Sequence, residues 1–207
     1  MKWTAQRPLN RLLQPRDTLT RRPLGEMVLL GGAAVAAVVA SLVYAPGLIG
    51  LSGAAMALVM LAVAVTDWRH FIIPNWLNGL ALALALVHAC ARDPSLMIAA
   101  VIDAAIRAIV LALLFLAVRY LYARFRGRQG LGLGDVKLAA VAGAWLDVDM
   151  IAIAVQLAVL SALLGYAARQ WVLRRPVSAT TRLPFGVFLA PSIWICWFLQ
   201  TAWLTPL

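Results

Sequence analysis

The chain has 207 residues, of which 64% are hydrophobic and 13% are charged, and its formal net charge is +10. Apolar runs of about 18 or more residues recur along it, which is typical of membrane-spanning helices and excludes a soluble globular core. The positive charge comes from arginines between these runs, a distribution that favours anionic lipid headgroups and excludes a nucleic-acid-binding surface.

The N-terminal segment is basic and precedes the first apolar run. It contains three prolines, which exclude a long surface helix. The basic region is long for a signal peptide, and Pro46 follows the small-residue stretch where cleavage would occur, so we expect an uncleaved first span. The sequence therefore predicts a cytoplasmic tail over residues 1–25 and one transmembrane domain over residues 26–207.

Seven apolar helices are predicted, and the fifth is shorter than a full membrane crossing requires. Their approximate ranges in chain order are 27–44, 48–66, 75–91, 96–122, 135–146, 150–168 and 184–204. With the N-terminus in the cytoplasm, nearly every arginine cluster falls on the cytoplasmic side and Arg92 is the lone basic residue outside. We expect an all-α, polytopic membrane bundle of about six to seven transmembrane helices.

Two acidic residues, Asp67 and Asp135, lie at the mouths of apolar runs. The chain crosses the membrane out and back once between them, so both belong to the same face. The other six acidic residues lie near the tail, at the opposite face or, in the case of Asp103, within a span. Two adjacent carboxylates share a proton, and such a pair can hydrolyse an amide as general acid and general base without a metal.

The predicted helix ends suggest different roles for the two acids. Asp67 follows the C-terminal end of its helix, where the dipole disfavours an anion, whereas Asp135 opens a helix, where N–H groups favour one. This interpretation assigns the shared proton to Asp67.

Small and basic residues surround Asp135. Gly132 and Gly134 lack a Cβ, so a second peptide chain could approach the acid closely; the alternative is that they only end a loop and begin a helix. Lys137 could interact with the acids or with lipid phosphate, and the alternative is an interfacial lysine that reaches toward the headgroups.

These residues resemble the type IV prepilin peptidases, the Gly-x-Gly-Asp aspartyl peptidases of the bacterial inner membrane. The resemblance covers approximately residues 51–191. It rests on three stretches: Asp67 with Ile73-Pro74-Asn75, Gly132-Leu133-Gly134-Asp135-Val136-Lys137-Leu138 with Gly143-Ala144-Trp145-Leu146, and Leu183-Pro184-Phe185-Gly186.

The resemblance implies that Asp67 and Asp135 are catalytic and that the chain removes the basic leader of prepilins or pseudopilins at the cytoplasmic face. It implies neither a metal nor an organic cofactor. Eight further residues are expected to shape the site or bind substrate: Gly132, Gly134, Lys137, Pro74, Asn75, Pro184, Phe185 and Gly186. Larger members carry an insertion with paired cysteines and also methylate the product. Nothing here matches it, so the chain is more similar to the small, peptidase-only members of tight-adherence pilus systems.

An ion pair within the fourth span offers an alternative function. Asp103 and Arg107 are spaced i, i+4 and could line a path through a transporter-like bundle or serve an assembly protein. The alternative interpretation is a self-neutralised pair that aids insertion. Two further polar groups, His70 beside Asp67 and His88 near the opposite face, are expected to be interfacial and structural. The sequence leaves the oligomeric state and the particular pilin open.

Overall fold

The computed structural model describes residues 24–127, 130–173 and 184–203. Within these ranges the chain forms seven α-helices and no strand, which confirms the all-α class. The helices are α1 (Leu24–Tyr44), α2 (Gly47–His70), α3 (Asn75–Arg92), α4 (Met97–Arg126), α5 (Leu133–Trp145), α6 (Val148–Leu173) and α7 (Gly186–Trp203). Most of the predicted basic tail lies outside the described residues, as do Arg128, Arg174, Arg175, Arg182 and Leu183.

Four helices are long and apolar enough to cross a membrane: α1, α2, α4 and the Val148–Ala168 part of α6. α7 is apolar but shorter, and α5 has only 13 residues. A crossing needs about 20 residues, so α5 is too short to span a bilayer on its own. The chain is a multi-pass helical membrane protein.

Several helix ends differ from the predicted ones. α2 continues to His70, so Asp67 lies inside its last turn, because Phe71 adopts the left-handed conformation and donates its N–H to the Asp67 carbonyl at 2.9 Å. α4 continues to Arg126, where Gly127 ends it in the same way with a bond to Ala123. α7 begins at Gly186, two residues later than predicted.

The chain divides into two compact units, residues 1–33 and 34–207, and the described part of the first is the opening of α1. In the second unit α5 packs against α3, α4, α6 and α7, and α2 packs against α3 and α7. Eight of the thirteen residues of α5 are buried. They are Val136, Leu138, Ala139, Val141, Ala142, Gly143, Ala144 and Trp145. A helix too short to cross a bilayer is thus enclosed by protein. The predicted boundary near residue 25 stays a prediction.

A polar network ties the C-terminal end of α5 to its neighbours. Asp147 forms a two-pronged ion pair with Arg92 at 3.2 and 3.3 Å, and Gln200 accepts the Asp147 backbone N–H at 3.0 Å. Arg92, which the sequence leaves alone at this face, therefore has a partner. Because α5 is fixed at this end, its opposite end is positioned for the site described next.

Candidate active site

Asp67 is buried, with 5% of the residue exposed. Its Oδ2 accepts a hydrogen bond from the backbone N–H of Val187 in the first turn of α7, at 3.2 Å. A Cβ on Gly186, the residue before, would lie 2.8 Å from the same oxygen. The Asp67 carboxylate therefore lies against the N-terminus of another helix, where free N–H groups and the helix dipole stabilise negative charge.

Asp135 occupies the third position of α5, outside the four candidate spans. Its Oδ2 accepts the backbone N–H of Gly132 at 3.1 Å, so the side chain caps the helix that carries it. Burial raises the pKa of Asp135 to about 6; the bond from Gly132 opposes this rise and the negative charge of Asp67 adds to it. The two carboxyl groups are therefore close enough to interact.

The side chain of Ile73 lies between the two helix starts and is 7% exposed. A Cβ on Gly134 would lie 3.2 Å from Ile73 Cβ and 3.4 Å from its Cδ1, and a Cβ on Gly186 would lie 2.8 Å from the same Cδ1. Ile73 thus contacts both the backbone that precedes Asp135 and the backbone that binds Asp67.

Lys137 joins the first turn of α5 to the first turn of α3. Its Nζ donates a hydrogen bond to Asn75 Oδ1 at 2.6 Å, and both residues are exposed. Pro74 precedes α3 in an extended conformation, and its carbonyl accepts the N–H of Leu77 at 3.2 Å. These predicted site residues lie at the same end of the bundle as the two acids and fix the start of α3 there.

The predicted rim residues Pro184 and Phe185 form the entry to α7. Pro184 is buried and Phe185 is half-buried. The Phe185 carbonyl accepts the N–H groups of Phe188 and Leu189, both at 3.0 Å, which starts the helix. Through this turn the two residues position Gly186 beside Asp67.

The loop before α5 is held against α4. Arg119 donates a hydrogen bond to the Leu131 carbonyl. Gly130 lies on the ring of Tyr122, where a Cβ would be 2.5 Å from the ring atom Cε1. Glycine allows this approach without moving the Tyr122 ring, so the loop fixes the position from which the Gly132-Leu133-Gly134-Asp135 stretch begins.

Two residues of the site have no role assigned from the sequence, although Ile73 belongs to one of the three stretches that carry the family resemblance. Val187 acts through its backbone N–H, which leaves no trace in the residue type. Ile73 is one more aliphatic residue in an apolar sequence; the available signal was its place directly before Pro74 and Asn75.

Asp103 and Arg107 form an ion pair on α4, and the Asp103 side chain is 65% exposed. The Arg107 Nε also donates to the Gly143 carbonyl in the last turn of α5, at 3.2 Å. A cation at a helix C-terminus satisfies a free carbonyl and complements the dipole. This contact gives the pair a structural role and leaves the transporter-like alternative without a supporting observation.

The helix-end argument for the shared proton changes with these contacts. Asp67 lies near the C-terminal end of α2 but also against the N-terminus of α7, which favours its ionised form. The pKa of Asp135, about 6, places its proton close to neutral pH. The bond from Val187 and the raised pKa of Asp135 are the observations against assigning the shared proton to Asp67, and that assignment stays a prediction.

The part of the sequence that contains the two acids is similar to known proteins. A sequence model of the type IV leader peptidase family matches residues 54–167, which include both acids. A prepilin leader peptidase/N-methyltransferase of Xanthomonas campestris pv. campestris is 28% identical over 152 residues, 72% of this chain and 50% of that protein.

Two relatives from Pseudomonas carry the same name. The protein of Pseudomonas aeruginosa is 31% identical over 137 residues, 66% of this chain and 45% of its own length. The one from Pseudomonas putida is 36% identical over 94 residues, 45% of this chain and 32% of that protein. The chain spans about half the length of the first of these curated relatives, and no solved structure matches it significantly. Because the family model covers more than half of its residues, the chain belongs to the type IV leader peptidase family.

Proposed function

We propose that this protein is an aspartyl endopeptidase that removes the basic leader from type IV prepilins or pseudopilins, with Asp67 and Asp135 activating water. The observation that carries the proposal is the convergence of two interacting carboxyl groups at the starts of α5 and α7. Family membership and the printed names of the relatives support the substrate class.

In the proposed mechanism the acids have complementary protonation states. Asp67, ionised and held by the Val187 N–H, takes a proton from water as the water oxygen attacks the scissile carbonyl carbon. Asp135 donates its proton to the carbonyl oxygen as that oxygen becomes negative, which gives a tetrahedral diol. The diol then expels the amine, which takes up the proton held by Asp67, and one hydroxyl of the diol returns a proton to Asp135 as the carboxylic acid forms. The pair titrates jointly, because removal of one proton makes removal of the next more costly.

The glycines give the substrate its approach. Gly132 is exposed, and a Cβ on it would lie 3.1 Å from Asp135 Oδ2. A side chain at this position would stand beside the carboxyl oxygen, so glycine leaves that side open to an extended peptide. We propose that Lys137 and Asn75, exposed and bonded to each other, line the same entry.

The proposed location is the bacterial inner membrane with the N-terminus and both acids at the cytoplasmic face. The supporting observation is the distribution of arginines, most of which would lie in the cytoplasm in this orientation. The leader of a prepilin is cytoplasmic, so the acids would meet it there. The proposal is restricted to peptide cleavage: Cys90 and Cys196 lie in α3 and α7 rather than in a paired-cysteine insertion.

Co-expression with a prepilin-like substrate tests the proposal. The wild type should remove the leader, which a gel-mobility shift and the new N-terminal residue would show. Asp67→Asn and Asp135→Asn should each abolish processing while the amount of membrane-inserted protein stays normal.

Asp103→Asn is the matched control, because it makes the same change at an acid of α4 outside the site. It should keep at least half of the wild-type processing. Processing that persists in Asp67→Asn or in Asp135→Asn would exclude the two-acid mechanism.

A further inference from the structure

We infer that Ile73 is a positioning residue whose side chain sets the distance between the starts of α5 and α7 and excludes water from the gap between them. The inference rests on the proposed function for its effect on cleavage. The effect of Ile73 on the positions and hydration of Asp67 and Asp135 can be tested without a substrate.

The contacts place one side chain between two backbones. Ile73 Cβ lies 3.2 Å from where Gly134 would carry a Cβ, and Ile73 Cδ1 lies 2.8 Å from the corresponding point on Gly186. Gly134 directly precedes Asp135 in α5. Gly186 directly precedes Val187 in α7, and the Val187 N–H binds Asp67. The distance between the two helix starts therefore depends on the thickness of one isoleucine.

The backbone on both sides of Ile73 is constrained. Phe71 is in the left-handed conformation, with φ 54° and ψ 31°, and its N–H bonds to the Asp67 carbonyl. Pro74 follows with its ring-fixed φ of −61°. A β-branched side chain also has few χ1 choices. Ile73 is thus a conformationally restricted side chain between the two helix starts, and its position is tied directly to Asp67.

The Ile73 side chain also excludes water from the gap between the starts of α5 and α7. Ile73 is 7% exposed and belongs to the buried core. Truncating it leaves a space between the start of α5, which carries Asp135, and the start of α7, which binds Asp67, and polar cavities of sufficient size take up water. Water there would relieve the desolvation of Asp135, so its carboxyl group would ionise at a lower pH than in the wild type.

The contacts around the start of α5 involve three charged residues. Asp67 comes from α2, Lys137 lies two residues further along α5 with its ammonium on Asn75, and Arg119 of α4 bonds to the Leu131 carbonyl. Truncating Ile73 replaces none of the three, so a change in the titration of Asp135 reports the gap, through its hydration and through the distance between Asp67 and Asp135.

The test compares Ile73→Ala with Ile193→Ala, the same truncation at a fully buried isoleucine of α7. The full-length protein in detergent micelles is labelled with dicyclohexylcarbodiimide, which reacts with protonated carboxyl groups, and mass spectrometry measures labelling at Asp135 across pH. Prepilin cleavage rates are measured over the same pH range.

Ile73→Ala should lower the midpoint of Asp135 labelling by about one pH unit, while Ile193→Ala leaves it in place. A shift of one unit leaves roughly tenfold less protonated acid above the midpoint, so cleavage should fall about tenfold at neutral pH and recover at lower pH. Ile73→Val, which removes only the Cδ1 that faces Gly186, should shift the labelling midpoint in the same direction by less.

An unchanged labelling midpoint in both Ile73 variants would overturn the inference. So would a loss of cleavage that is equal at every pH, because that pattern reports a loosened fold. If the wild type labels at Asp135 and the midpoint shifts as expected but no prepilin is cut, the proposed function fails and the role of Ile73 stands.

Discussion

Gly143 in α5 lies directly against the backbone of Arg107 in α4. A Cβ on Gly143 would be 2.5 Å from the Arg107 carbonyl oxygen and 2.9 Å from the Cα of Ala108. Small residues allow this kind of close approach between membrane helices, where packing rather than the hydrophobic effect stabilises the contact. The position of Asp135 at the start of α5 therefore depends on a contact near the end of the same helix.

Gly143→Ala should destabilise the protein by about 1–3 kcal/mol, since neither backbone can yield without moving its helix. Thermal unfolding in detergent micelles measures the loss. Gly79→Ala is the matched control, because nothing lies within 4 Å of a Cβ there and alanine is the better helix former. Equal stability of the two variants would contradict the contact.

Gly186→Ala tests the packing of the Asp67 carboxylate against the start of α7. The new methyl group would lie 2.8 Å from Asp67 Oδ2 and 2.8 Å from Ile73 Cδ1, so the carboxylate or the start of α7 must move. A displacement of about 1 Å at a reacting group can reduce a rate on the order of 100-fold, and we expect a prepilin cleavage rate at least that much lower.

Gly165→Ala in α6 provides the comparison for Gly186→Ala. A Cβ there would lie 3.4 Å from the ring of Phe188, an ordinary van der Waals contact. Cleavage should stay within about twofold of the wild type, because the fold accepts this methyl group without displacing the acids. If both glycine variants retained full activity, the proposed contact of Gly186 with Asp67 would be unimportant for the reaction.

The sequence carried enough information to predict the helices. Apolar runs are bounded by recognisable residues such as Pro46 and Pro74, so all seven predicted helix starts lie within about three residues of the observed ones. The count of crossings between Asp67 and Asp135 also predicted that both acids belong to the same end of the bundle.

The sequence did not predict what holds the acids in place. Val187 binds Asp67 from 120 positions away through a backbone group, and no periodic pattern marks such a contact. Ile73 looks like any other aliphatic residue of the core. The burial of α5 likewise depends on four neighbouring helices rather than on its own 13 residues. These contacts come from tertiary packing, which overrides local sequence signals.

His88 joins α2, α3, α5 and α7 away from the acids and should be important for stability alone. Its ring stacks on Trp145 at 4.8 Å, its Nε2 accepts the Trp197 indole N–H at 3.3 Å, and its Nδ1 lies 3.0 Å from Ser52 Oγ. Since Nε2 accepts, the proton of the neutral ring is on Nδ1.

His88→Ala would leave the buried indole N–H of Trp197 without an acceptor, at a cost of about 1–3 kcal/mol, and would open a cavity beside it. Chemical denaturation in micelles should show the loss, whereas His70→Ala, at an exposed position, should show almost none. Comparable denaturation curves for the two variants would mean that the His88 contacts are not stabilising.

Asp135 should lower the stability of the folded protein at neutral pH. Its folded-state pKa of about 6 lies above the ordinary value of 3.8, so folding takes up protons between these pH values. The favourable contribution is fully present below about pH 4 and is lost as the pH rises through 6.

Asp135→Asn removes the cost of burying the charge and keeps an oxygen acceptor for the Gly132 N–H. We therefore expect a higher melting temperature near pH 7.5, worth on the order of 2 kcal/mol, and no gain near pH 4. Asp135→Ala, which also loses the helix cap, should be less stable than Asp135→Asn by about 1 kcal/mol. An Asp135→Asn protein that melts below the wild type near pH 7.5 would show that the carboxylate stabilises the fold there.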